Sequence, residues 1–219
     1  MAKPTLKAAA VKVDQRPLTT TSYAILGLLC VKPWSAYELT QQMSRSLRFH
    51  WPRVESRIYR EAPNLVAHGL ARASEEHNGA RKRTVYSITP RGRAAFRRWL
   101  GQPSAPPQFE SEALVRTMFA EQGTKEDLLA TLAGVREHAH ALYREQVTQA
   151  EDYRRTGGPF PERLHVIALA GRFILDYLVL LESWATWAEA EVGRWPDVKP
   201  VAVIPVATEV FRVGLDPPS

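Results

Sequence analysis

The stretch that most constrains this chain is residues 51–70, WPRVESRIYREAPNLVAHGL. Arg53, Arg57 and Arg60 recur there at spacings of four and three, which sets three guanidiniums along one side of a helix. Ile58, Leu65 and Val66 can turn inward, and Gly69 stands where a C-terminal stop belongs. A helix with a buried back and a basic front has the shape needed to enter a DNA major groove. Pro63 removes a ladder hydrogen bond and crowds a carbonyl one turn back. A kink is therefore expected between an outward half, 53–62, and a core-facing half, 63–68.

The charge distribution agrees with a polyanion partner for this half alone. Residues 18–100 hold fourteen Lys/Arg and five Glu, a net +9. Residues 101–219 hold eleven Lys/Arg and seventeen Asp/Glu, a net −6. One half attracts nucleic acid and the other repels it. Residues 1–17 are lysine-dotted and read as a flexible basic arm. With no apolar run behind those lysines, no signal peptide is expected, and the single Cys30 allows no intrachain disulfide. Both suit the cytoplasm.

Around the basic stretch the elements follow in a short order. Thr19 to Ser22 offer N-caps for YAILGLLCV, and Lys32-Pro33-Trp34 breaks that helix. Ser35 with Glu38 makes a capping box for AYELTQQMSRSL, with Tyr37, Leu39 and Met43 expected inward and Gln41, Gln42, Arg45 and Arg48 outward. Pro52 suits the first turn of the next helix. ARASEEH, Asn78-Gly79 and RKRTVYSIT read as a hairpin with Arg81, Lys82 and Arg83 at its tip. Thr89-Pro90 opens RGRAAFRRWL. Three helices, a basic-tipped hairpin and a closing helix make a winged helix-turn-helix. The expected DNA-contacting set is Arg45, Arg48, Arg53, Ser56, Arg57, Tyr59, Arg60, Arg81, Lys82 and Arg83.

The segments YAILGLLCVKPWSAYEL, RIYREAPNLVAHGLA and RTVYSITPRGRAAFRRWL, at this spacing, resemble the PadR family of bacterial transcriptional regulators over residues 18 to about 195. The resemblance implies a winged-helix homodimer that represses nearby genes and is released by a signal such as a small molecule. It also places Tyr59 on the recognition helix near DNA and Tyr86 on the wing strand. Ala62-Pro63 departs from the larger apolar residue that many members keep there.

Residues 101–110 form a proline-rich linker. Beyond it, residues 110–121 read as a short amphipathic helix, and Thr124 to Asp127 caps a long helix that Gly157-Gly158-Pro159 stops. Residues 162–193 read as a third helix, apolar nearly all round from Val166 to Leu181. Two neighbours in so small a domain hardly cover it, so pairing with a second copy is expected. Arg172 and Asp176 read as an i,i+4 ion pair that, with the shortness of the run, argues against a membrane span. Residues 200–219 read as an extended tail.

The expected fold is mainly α with a small β-hairpin wing: an N-terminal winged helix-turn-helix at 18–100 and a C-terminal helical dimerisation domain at 111–199. Phe119, Tyr143, Phe173, Tyr177, Trp184 and Trp187 can line an effector cavity, with Trp184 and Trp187 on one helix face able to sandwich a planar apolar molecule. That an effector would be aromatic is what the resemblance implies. None of the six histidines pairs with Cys, Asp or Glu at a zinc spacing, and no GxSxG, phosphate loop or GxGxxG occurs. Neither an enzyme nor a metal or cofactor site is expected. The rival reading is a small-molecule-binding helical protein with only non-specific nucleic-acid affinity. A salt titration separates the two, because a specific site survives salt that strips random DNA.

Overall fold

The computed structural model describes residues 16–47, 49, 51, 55–78, 81–199 and 207, and only the backbone at 55–57, 78 and 81. The expected arm up to residue 15, Arg48, Pro52, Arg53, the turn residue Gly79 and nearly all of the expected tail lie outside them. The chain divides between Pro106 and Pro107 into two compact units.

In the first unit, α1 (Thr20–Val31) starts at a capping box in which Thr19 and Ser22 exchange side-chain and backbone hydrogen bonds. A two-residue strand, β1 (Trp34–Ser35), follows where the sequence reads only as a break. Ser35 then caps α2 (Ala36–Ser46), with Glu38 bonding back to it. Leu39 and Met43 are buried, but Tyr37 is 64% exposed, against expectation. At 100° per residue Tyr37 lies about 200° round the helix from Leu39, so the two cannot share an inward face.

The third helix, α3 (Glu55–Ala67), runs unbroken through Pro63. The proline does not interrupt the helix, and buried residues lie on both sides of it. Ile58, Ala62 and Leu65 are buried along the whole back, while Pro63 faces solvent, where water can serve the carbonyl its ring leaves without a donor. The helix closes in a Schellman turn. Leu70 N–H donates to Leu65 and Gly69 N–H to Val66, with Gly69 at φ +68°.

Strands β2 (Ala71–Asn78) and β3 (Arg81–Ile88) form the expected hairpin, and β1 joins it to give the antiparallel order β1-β3-β2. Trp34 pairs with Tyr86 and Ser35 with Val85, and all four are buried. Thr89 caps α4 (Pro90–Leu100) through Gly92 N–H, and its hydroxyl also donates to Gly69 O at 2.8 Å. Tyr23 stacks on Trp99 at 4.8 Å, joining α1 to α4.

The second unit begins with α5 (Glu112–Met118) and a 3-10 turn ending before Gly123. Thr124 and Asp127 make the expected capping box for α6 (Lys125–Thr156). Gly157 and Gly158, at φ +79° and +64°, turn the chain back. A 3-10 turn at Pro161–Arg163 then leads into α7 (Leu164–Gly193). The two long helices are antiparallel: Arg136 pairs with Glu189 at 3.0 Å and His140 with Glu182 at 3.1 Å. Leu128 and Leu132 pack with Ala188, Val192 and Val198. Arg172 and Asp176 form the expected pair, at 2.8 and 2.9 Å.

One expectation about α7 is corrected. With its leading turn it is a 33-residue helix, long and apolar enough to cross a membrane by length and composition. The apolar run alone underestimates it, because helical residues on both sides extend the span.

Candidate nucleic-acid interface

The basic front of α3 depends on how its back is held. Trp51 Nε1 donates to Thr21 Oγ1 at 2.9 Å, pinning the approach to α3 against the start of α1. Ser22 Oγ donates to Glu61 at 2.5 Å. Asn64, 4% exposed, uses both ends of its carboxamide on the backbone of Arg16, accepting at 3.2 Å and donating at 3.3 Å. His68 Nε2 lies 2.8 Å from the same Arg16 carbonyl. A buried carboxamide satisfied twice fixes a helix more firmly than apolar packing alone, because any rotation leaves polar atoms unpaired. These contacts leave Tyr59 and Arg60 outward, with Tyr59 59% exposed.

Of the expected DNA-contacting residues, Tyr59, Arg60 and Arg45 stand in solvent on α3 and at the end of α2. Ser56 and Arg57 belong to α3 and Arg81 to β3, with side chains outside the description, as Arg48 and Arg53 are altogether. Lys82 and Arg83 are exposed on the wing, but each is engaged. Lys82 Nζ lies 2.7 Å from Glu75. Arg83 lies 3.1 Å from Glu76 and 3.6 Å from Glu38. Residues 72–77 of β2 and 82–84 of β3 are all exposed, so the outer part of the hairpin projects, while Val85 and Tyr86 at its base are buried.

Sequence reasoning passed over Asn64, Glu61 and Trp51, which hold α3 through hydrogen bonds to Arg16, Ser22 and Thr21. A polar residue amid apolar ones on the inner face of a helix is the signal that marks Asn64. It also passed over a cleft of about 330 Å³ in this unit, where Arg91 and Arg98 flank the stacked Tyr23 and Trp99.

The expected effector aromatics are not brought together as a set. A cavity of about 410 Å³ in the second unit is lined by Trp184 and Trp187, joined by Trp195, over Leu128, Leu132 and Val192. Tyr177 instead packs edge-on against Phe109, and Phe119 and Phe173 are largely exposed. Tyr143 is half-buried on α6.

A short helix, a second helix, a braced basic helix and a projecting two-stranded wing define the class: a winged helix-turn-helix protein. Residues 25–98 match the family model described as the transcriptional regulator PadR-like family. Over 85 residues the chain is 33% identical to the probable transcriptional regulator Rv1176c of Mycobacterium tuberculosis, a match covering 38% of this chain and 45% of that protein. The chain thus spans somewhat under half the length of this curated relative. Bacillus subtilis PadR in complex with operator DNA has a similar fold, with a TM-score of 0.68 at 20% identity over 80% of this chain and 99% of that one. So do the PadR-like regulator BC1756 of Bacillus cereus (TM-score 0.65, 18% identity, 79% and 98% covered) and the Vibrio cholerae virulence activator AphA (0.61, 24%, 79% and 98%).

Proposed function

We propose that this chain is a sequence-specific DNA-binding transcriptional regulator that acts as a homodimer on a two-fold related operator, in the cytoplasm and without enzymatic activity. The observation that carries the reading is the outward placement of Tyr59 and Arg60 on a helix whose back is locked by Ser22, Arg16 and Thr21 through Glu61, Asn64 and Trp51. The helix enters the major groove, the wing reaches the flanking backbone, and the acidic second unit stays off the duplex. The operator complex of B. subtilis PadR supports the same use of the fold.

The exposed apolar face of α7 supports pairing with a second copy rather than insertion in lipid, since Arg172 and Asp176 would have to enter the bilayer together. We further propose repression relieved by a small aromatic effector, with the Trp184–Trp187 cavity as its seat. The B. subtilis relative solved with p-coumaric acid supports an effector of this size.

The test is binding to the DNA upstream of the coding sequence, titrated against salt beside a random duplex. The upstream site is expected to hold at salt that releases the random duplex, by at least about a thousandfold in affinity. Equal loss from both leaves only non-specific coating.

A further inference from the structure

The wing carries a feature that a purely phosphate-seeking hairpin lacks. Its described tip cations are matched by glutamates of the same hairpin. Across the β2–β3 register Glu76 stands opposite Arg83, and His77 opposite Lys82. Lys82 leans instead onto Glu75, at 2.7 Å, and Arg83 bonds Glu76, at 3.1 Å. All four side chains are 40–63% exposed, so water competes for each of these pairs.

The two cations differ in how they are held. Arg83 also faces Glu38 of α2 at 3.6 Å. The other oxygen of that carboxylate is committed to Ser35, accepting from its N–H at 2.8 Å and its hydroxyl at 2.7 Å. Arg83 thus spans the wing and the helix before α3. Among the described residues, Lys82 pairs with Glu75 of its own hairpin.

We propose that Glu75 and Glu76 are specificity-determining residues: carboxylates that compete with DNA phosphates for Lys82 and Arg83 and so hold down binding to non-cognate sequence. This rests on the DNA-binding reading above. The consequence follows from ion accounting. A lysine moving onto a phosphate releases a counterion from the duplex, but here it first gives up its pair with Glu75 and leaves that carboxylate beside the phosphates, a like-charge repulsion that offsets part of the gain. The wing therefore adds little to affinity for arbitrary DNA. On a cognate site, where α3 has already fixed the position of the wing, the exchange costs less because the phosphates are delivered in place.

The experiment is a salt titration of binding to a short random-sequence duplex by the full chain, by Glu75→Gln/Glu76→Gln, and by Glu151→Gln/Asp152→Asn on α6, which removes the same charge from the other unit. The wing variant is expected to bind random DNA about three- to tenfold tighter at low salt, with the advantage shrinking as salt rises, so that its log–log salt slope steepens. The α6 variant should change affinity by less than about twofold. A cycle with Lys82→Gln then decides the route: Glu75→Gln should gain affinity only where Lys82 is present. A gain that persists without Lys82, or an unchanged slope in the wing variant, overturns the proposal. Failure of the unaltered chain to bind any duplex would instead overturn the DNA-binding reading, and this one with it.

Discussion

At the scale of single residues, the corner joining α3 to the wing and α4 is the least tolerant place in the first unit. A Cβ on Gly92 would sit 2.0 Å from Leu70 O and 2.9 Å from Ile88. Both neighbours are fixed, since Leu70 O accepts from Thr89 N–H at 3.1 Å and Ile88 ends β3. In an open helix, Gly→Ala stabilises by about 1 kcal/mol. Here Gly92→Ala should lower unfolding stability by about 2 kcal/mol or more, measured by denaturant titration, because backbone must move. A neutral or stabilising result would mean the corner is loose. The sequence displays this glycine within its Tyr-x-Ile-Thr-x-x-Gly pattern, but not the carbonyl above it, which comes from twenty-two residues earlier.

Glu38 makes a second prediction at this scale. Hydrogen bonds from the Ser35 backbone and hydroxyl, aided by Arg83 and Lys32, hold its carboxyl below the ordinary value of 4.5. A carboxylate depressed in the folded state adds stability that is fully present above its unfolded value and is lost as pH falls through the folded one. Melting temperature should therefore drop below about pH 4.5, and Glu38→Gln should flatten that part of the profile while costing stability at neutral pH. If the variant tracks the parent through this window, the capping carboxylate is not what titrates.

At the scale of elements, the hairpin, the helix caps and the glycine stops were legible because each has local chemistry: Asn78-Gly79, Ser35 with Glu38, Thr124 with Asp127. What was not legible depended on distant partners. Strand β1 is two residues long and exists only because Val85 and Tyr86 offer it an edge. The continuation of α3 past Pro63 was not legible because the effect of a proline depends on which side of the helix it occupies, and burial of Ile58, Ala62 and Leu65 outweighs one missing hydrogen bond. That account makes Pro63 dispensable for the fold. Pro63→Ala restores an N–H to Tyr59 O at an exposed site, so it should stabilise the protein by about 1 kcal/mol, the helical gain being offset by a freer unfolded chain. Loss of stability would show that the proline shapes the helix after all.

At the scale of the whole molecule, the unanswered demand of the sequence is the face of α7 turned away from α6. Ile174, Leu178, Ala185, Ala188 and Val192 are spent within the chain. Val166, Phe173, Leu180 and Trp187 recur every seven residues on another face, with Leu169 beside them, and are 46–74% exposed. A seven-residue apolar repeat on one side of a helix is the seam of helix pairing. Covering five such side chains is worth several kcal/mol per chain, on the order of 1–2 for each partly exposed group. A stable pair also supplies what a lone winged helix lacks, a fixed separation between two copies of α3. Phe173→Glu/Leu180→Glu should therefore convert a dimer into a monomer in sedimentation at micromolar concentration. Helical content should persist, because both side chains are largely exposed within the single chain. Affinity for a two-fold operator should fall by about a hundredfold or more, while binding to a random duplex changes little, since Tyr59 and Arg60 are untouched. A parent chain that sediments as a monomer, or a variant that still pairs, would place the partner of this face elsewhere.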